Sequence, residues 1–219
     1  MDLVKKHRWD VSLDQAKKIQ EKLSKHVIKE DDFKELQRIG GVGVAFGEDG
    51  EIAVTVVVFS FPQLEFLEKI IKKGFSNFAY KPGFFAFSVS PLIISCLKKI
   101  ENIDLLIFPG RGIFHPRGLG MATHLGVLFD LPTVACSKTP LLGGFKEPEK
   151  VKGSFSFIEK KGGRVGAVLR SKDNTNPIFV TPGHKISSES TVNIILKCCT
   201  RFRFPEPLRQ ARILAKRSV

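Results

Sequence analysis

The sequence lacks the long apolar run of about 20 residues that a membrane-spanning helix requires. The nearest candidate, Ile52 to Phe61, is interrupted by Thr55 and Ser60. The opening, MDLVKKHRWD, has no apolar stretch of the kind that marks a secretory leader, so none is expected. Cysteine is sparse. Cys96, Cys136, Cys198 and Cys199 show no C-x-x-C spacing, and the adjacent pair should share a helix, where the two cannot easily bridge. Buried, inert, reduced thiols in a cytoplasmic (or nuclear) protein fit this pattern better than redox or metal use. Acid is scarce relative to base. With 22 Asp and Glu against 35 Lys and Arg, the formal net charge is +13, which favours a polyanionic partner, with anionic membrane next in line. No internal repeat and no low-complexity linker divides the chain.

What is present reads as one α/β domain over residues 1–219. A chain this long can bury roughly 70–75% of its unfolded surface without disulfide or metal staples. At 42% hydrophobic and 26% charged residues it is ordinary for a globular protein, which excludes disordered and collagen-like classes. Ser12 with Gln15 forms a capping-box pattern ahead of a helix over Ala16 to Val27, whose Ala16, Ile19, Leu23 and Val27 recur at helical spacing. Ile39 to Phe46 and Ile52 to Phe61 read as strands, and the short joint Gly47-Glu48-Asp49-Gly50 makes them an antiparallel hairpin. A short amphipathic helix is expected over Leu64 to Lys72, and another helix over Pro91 to Ile100. Leu105 to Phe108 is apolar without alternation, as in a strand covered on both faces. A helix over Leu119 to Phe129 and a strand over Pro132 to Cys136 complete a right-handed parallel crossover. Leu141 to Gly153 reads as a surface loop. Strands follow at Ser154 to Glu159, Arg164 to Arg170 and Ile178 to Thr181, with Gly183 breaking the last. Ser187 starts a helix to about Cys199, and a basic tail runs from Arg201 to Val219. The expected architecture is a mixed sheet opened by a hairpin and flanked by helices.

In open α/β sheets ligands sit beyond the carboxyl ends of strands. Three Gly- or Pro-marked turns are expected there: Tyr80 to Gly83, Pro109 to Pro116, and Thr181 to His184. Each carries residues with binding potential, namely Tyr80, then Arg111 with His115 and Arg117, then His184 with Lys185. Tyr80 is the only tyrosine beside 19 phenylalanines, and an aromatic next to Pro-Gly can stack on a base. His184 is expected just before a helix N-terminus, a natural seat for phosphate. Lys138 follows a buried strand, where its ammonium can reach a phosphate.

Four motifs, in order and at characteristic spacing, then resemble the endonuclease V family, metal-dependent nucleases that recognise inosine in DNA or RNA. They are Tyr80 to Phe87 (YKPGFFAF), Gly112 to Gly126 (GIFHPRGLGMATHLG) continuing through Asp130-Leu131-Pro132-Thr133 to Ser137-Lys138, Val180 to His184 (VTPGH), and Arg201 to Ala211 (RFRFPEPLRQA). The resemblance spans about Trp9 to Ala211 and implies an RNase H-like fold. It also implies that Tyr80 is the wedge beside a flipped base. Pro82, Gly83 and Phe85, with Gly110, Gly112, Gly120 and Met121, then form the base pocket. His115, Lys138 and His184 match residues serving substrate phosphate or catalysis. Lys81, Arg111 and Arg117 add positive charge beside them.

The same resemblance shows what is missing. The family's catalytic carboxylates fall at Gly43, Val89 and Pro109, none of which offers an oxygen ligand, and Arg212 stands where the family's tail usually has an acid. Hard divalent cations need oxygen ligands, typically one or two carboxylates besides substrate phosphate, so no metal or other cofactor is expected. Glu48, Asp49 and Glu51 lie in the hairpin turn, a five-residue rise of roughly 16 Å beyond Gly43, while Asp104 and Asp130 precede their strands. The leading expectation is a nuclease-inactive homologue that binds single-stranded or locally distorted DNA or RNA, with inosine or another deaminated base as its target. An active nuclease using Mg²⁺ or Mn²⁺ would need ligands from His115, His184, substrate phosphates or a partner subunit. A third reading is a protein-interaction platform within a complex. A monomer is the family-like default.

Overall fold

The computed structural model describes residues 1–139, 145–160 and 163–219. Helix α1 (Leu13–Ser24) opens as the sequence indicates. The Ser12 hydroxyl accepts from the Gln15 N–H, and the Gln15 side chain accepts from the Ser12 N–H. Strands β1 (Arg38–Phe46) and β2 (Ile52–Ser60) form the hairpin, paired Gly43 to Thr55 at its middle. Then follow β3 (Phe66–Gly74), α2 (Phe85–Leu97), β4 (Leu105–Pro109), α3 (Met121–Phe129), β5 (Thr133–Ser137), β6 (Phe155–Lys160), β7 (Gly163–Leu169), β8 (Ile178–His184), α4 (Ser188–Cys198) and α5 (Glu206–Lys216). All eight strands join one sheet in the order β3-β2-β1-β4-β5-β8-β7-β6. The β1–β4 and β4–β5 pairs are parallel and the remainder antiparallel. This is the mixed, hairpin-first sheet the sequence implies.

Two cores cover the two faces. Val42, Leu106, Phe108 and Ala135 pack with α2 and α3 on one side. Ile39, Ile107, Val134 and Val180 pack with α4 and α5 on the other. The alternation along each strand assigns the faces, and both are apolar because both are covered. The four cysteines are free and buried, and burial pushes the Cys96 and Cys199 thiols up to about 12. No helix among the described residues is long and apolar enough to cross a membrane.

Four expectations are corrected. Leu64 to Lys72 is not a helix. Its charged and apolar residues fit either period, and β2, buried along almost its whole length, needs a partner on its open side, which β3 supplies. The helix expected from Pro91 starts at Phe85 and carries Pro91 inside it on the exposed face, so the proline forfeits a backbone bond without entering the core. Gly183 does not break β8. It allows close approach to β5, since a Cβ there would lie 2.2 Å from Thr133 Oγ1. The basic tail is not loose. Its residues from Glu206 to Lys216 form α5, and Pro207, Leu208, Ala211 and Ala215 are buried along one stripe. Within the expected loop Leu141 to Gly153, residues 141–144 lie outside the described residues, and 145–153 carry neither helix nor strand.

The seat of α5 on β1 shapes the site. Gly41 and Gly43 lie on one strand face, and a Cβ on them would fall 2.2 Å from the Pro207 carbonyl carbon and 2.1 Å from the Ala211 oxygen. A two-residue step along a strand is about 6.6 Å and a four-residue step along a helix about 6 Å, so the two stripes run in register. Glycine is required here because helix backbone occupies the space of a side chain.

Candidate nucleic-acid interface

Two cavities open at the carboxyl end of β4 and share Pro109 and Gly110 as a common wall. The first, about 600 Å³, is lined by Tyr80, Pro82, Gly83, Phe85, Gly110, Arg111, His115, Arg117, Gly120 and Met121, each a candidate binding residue from the sequence that the fold brings to one cavity. Its wall is built around the carbonyl of Gly83. That residue sits at φ +81, a conformation that favours glycine. Its oxygen accepts from Gln20 Nε2 at 3.0 Å, His115 Nε2 at 3.0 Å and Arg117 Nη2 at 2.9 Å. Arg117 Nε also donates to Gln20 Oε1 at 2.5 Å, and the guanidinium stacks 4.4 Å from the Phe84 ring. Gln20, 1% exposed, is a site residue that no sequence motif marks. The available signal is its place on the buried stripe of α1 with Ala16 and Leu23, where an amide needs partners.

His115 serves this wall with both ring nitrogens. The Arg117 N–H donates to its Nδ1 at 3.3 Å, so the proton on Nε2 goes to Gly83. Burial first, then the charge of Arg117, pushes its pKa down to about 4, so it is neutral at pH 7. Neither nitrogen is free for a metal. Tyr80 stands on the rim, 62% exposed, with its ring edge-on to Phe85 at 6.1 Å. Lys81 is exposed just outside the lining. Gly112 lies behind the wall, its N–H donating to Thr181 Oγ1 at 2.8 Å.

The second cavity, about 480 Å³, lies between β1, the ends of β4 and β5, the 202–204 segment and α5. Lys138 lines it, with Arg203, Arg209 and Arg212, and no lining residue is acidic. Gly43 lies in this cavity and Pro109 on the shared wall, whereas Val89 is fully buried in the α2 core. The donor set does not fit a divalent metal. Hydroxyls of Ser137 and Thr139 and the Cys136 thiol are the uncharged polar side chains, and a carboxylate at position 43 would collide with α5. Among the described residues no cluster of three His, Cys, Asp or Glu could hold an ion anywhere.

His184 is not brought to either cavity. Because β8 runs antiparallel to β5, His184 pairs with Thr133, at the opposite end of the sheet from Pro109. It is buried, accepts the Ile28 N–H on Nδ1 at 3.2 Å and faces Asp130 across 3.3 Å. It tethers the segment after α1, and α4 begins four residues beyond it, capped by Ser187. The proposed turn at Thr181 to His184 is therefore strand. Asp104 and Asp130 do lie away from the cavities. Asp104 accepts the Gln37 and Arg38 N–H groups, and Asp130 pairs with Lys185 at 2.8 Å.

Comparison with known proteins agrees with this fold. The family model for Endonuclease V matches residues 21–213. A curated endonuclease V from Dictyoglomus turgidum is 48% identical over 202 residues, which span 91% of this chain and 88% of the relative. The crystal structure of endonuclease V from Bacillus subtilis superposes with a TM-score of 0.93 at 28% identity, over 100% of this chain and 97% of that one. Endonuclease V from Ciona intestinalis, solved with a 24mer DNA containing an inosine followed by a ribo-adenosine, shares the fold at a TM-score of 0.84 and 24% identity, over 94% and 97% of the two chains.

Proposed function

This chain belongs to the endonuclease V family, and we propose that it binds single-stranded or locally distorted DNA or RNA in the first cavity without cutting it. One observation carries the reading. The first cavity is held by a fully engaged hydrogen-bond network, while the neighbouring locus has no carboxylate and is closed against one by α5. Hydrolysis of a phosphodiester by this family's chemistry needs an ion to activate water and stabilise the leaving oxygen. No side chain facing the second cavity supplies its ligands.

In this reading Tyr80 takes the place vacated by an extruded base, where an aromatic face stabilises the open strand. The base enters between Pro82-Gly83 and Gly120-Met121. The Gly83 backbone, fixed by Gln20, His115 and Arg117, gives that pocket a defined edge, and such an edge can distinguish inosine from its normal counterpart. The Ciona protein bound to inosine-containing DNA supports this choice of base by shared fold.

The test uses labelled DNA and RNA oligonucleotides with inosine or its normal counterpart, in Mg²⁺ or Mn²⁺, on native and denaturing gels. A shifted, intact band stronger with inosine is expected. A strand cut near the inosine, with cutting lost in Tyr80→Ala, overturns the reading and restores an active nuclease.

A further inference from the structure

The second cavity has the wrong charge for a cation and the right charge for an anion. Every charged side chain on its lining is positive: Lys138 just after β5, Arg203 in the segment before α5, and Arg209 and Arg212 on α5. β1 and the Pro109-Gly110 turn contribute no charge to it. Arg209 is already neutralised. Glu206 accepts from it twice, at 2.7 and 2.8 Å, and its guanidinium lies 3.9 Å from the Phe202 ring. Arg203 donates to the Pro177 carbonyl at 2.6 Å. Lys138 and Arg212 are exposed, and neither forms an ion pair or side-chain hydrogen bond among the described residues.

We propose that this cavity holds a backbone phosphate of the bound nucleic-acid strand directly, through Arg212 and Lys138, with no metal ion between protein and phosphate. The inference rests on the binding function proposed above and deepens it. Val42, Val44, Phe204 and Leu208 form apolar walls, and a low-dielectric wall strengthens the field of uncompensated cations at its mouth. Guanidinium is suited to phosphate by its planar fork, which can donate two parallel hydrogen bonds. The choice of a strand over a free anion rests on position. The cavity shares Pro109 and Gly110 with the first, so a nucleotide seated there continues its backbone across this wall. The loss of acids at Gly43, Pro109 and Arg212 is then a change of ligand. A site that would place a metal against phosphate has become one that places cationic side chains there.

The experiment measures affinity against salt for inosine and normal oligonucleotides, in EDTA and in Mg²⁺. Each phosphate neutralised contributes about 0.7 to 0.9 to the slope of log affinity on log salt. Arg212→Gln is therefore expected to lower that slope by about one contact. The affinity lost between about 50 and about 200 mM salt then shrinks by about threefold. The change should be equal for inosine and normal strands and identical in EDTA and Mg²⁺. Lys138→Ala should act alike, and Lys34→Ala, an exposed residue four positions before β1 that lines neither cavity, should leave the slope unchanged. Unchanged slope in both Arg212→Gln and Lys138→Ala, or binding lost in EDTA and restored by Mg²⁺, overturns the proposal. Saturable binding of inorganic phosphate alone, at concentrations where oligonucleotide saturates, reassigns the cavity to a small anion and overturns it also. The two readings fail separately. Inosine preference with no effect of either Arg212→Gln or Lys138→Ala refutes the phosphate site alone. A reduced slope with no inosine preference refutes the base pocket alone.

Discussion

The two cavities flanking Pro109 and Gly110 have been built in opposite ways. The first is held by polar groups that satisfy one another. Gln20, His115 and Arg117 converge on one carbonyl, and a buried amide and a neutral imidazole are fully used there. The second is held by shape and left electrostatically open. Glycines on β1 accept the backbone of α5, and Lys138 and Arg212 face solvent without partners among the described residues. Polar groups that must position a ligand edge are worth burying only when every bond is made. Cations that meet a mobile, charged backbone need no such fixing, because the field acts over several ångströms. A binding protein needs both, and a metal-dependent nuclease would need carboxylates where this chain has helix backbone.

The sharpest way to break this contrast is to put an acid back. Gly43→Asp puts a Cβ 2.1 Å from the Ala211 oxygen, so α5 must shift to admit it. A loss of about 3 kcal/mol in stability is expected by denaturant unfolding, with no gain of cleavage. A stable variant that cleaves in Mg²⁺ would show that α5 yields and that the locus still accepts an ion.

Next in size is the first wall. Gln20→Ala removes the amide bonded to the Gly83 and Leu119 carbonyls and leaves Arg117 Nε without its acceptor. A cost of about 1–3 kcal/mol is expected, together with weakened inosine preference and an unchanged salt slope. Tyr80→Ala should separate function from fold. Its ring is mostly exposed, so unfolding should move by less than about 0.5 kcal/mol. Affinity for single strands should fall by about 1–3 kcal/mol as a stacking platform is lost.

The smallest effect is pH-dependent. Burial holds His115, His124 and His184 below their ordinary value, so the folded chain binds fewer protons than the unfolded one. Stability is therefore full above pH 6.5 and declines as pH falls toward about 4, the folded value of His115. Thermal unfolding measured across that window should show the decline, and His115→Gln should flatten part of it. A flat profile in the parent chain would contradict the buried, neutral imidazoles.

Much of this contrast was legible in the sequence, for identifiable reasons. The capping box at Ser12, the glycine-valine alternation of β1 and the apolar run of β4 are local signals, and each formed the element expected. The first cavity was legible because Tyr80 to Phe85 and Gly110 to Met121 are two continuous stretches. The errors lie where tertiary contacts decide. Phe66 to Gly74 has a composition that suits helix or strand, and only the unpaired side of β2 selects the strand. His184 follows a glycine that looks like a stop, yet Gly183 is there to fit Thr133, which carries the histidine to the far end of the sheet. Gln20 lies 63 residues from the carbonyl it fixes. The meeting of Gly43 with Ala211 joins the first strand to the last helix, and no local pattern reports it.

The most direct measurement is a single-turnover assay in Mn²⁺, with the protein in excess over an inosine-containing strand and bound complex confirmed in the same sample. An intact strand in a fully bound sample, sampled over hours, is the expected result. Product that accumulates with time in Mn²⁺ and fails to form in EDTA, while binding persists, would mean that an ion still reaches the phosphate and that the second cavity is a catalytic centre.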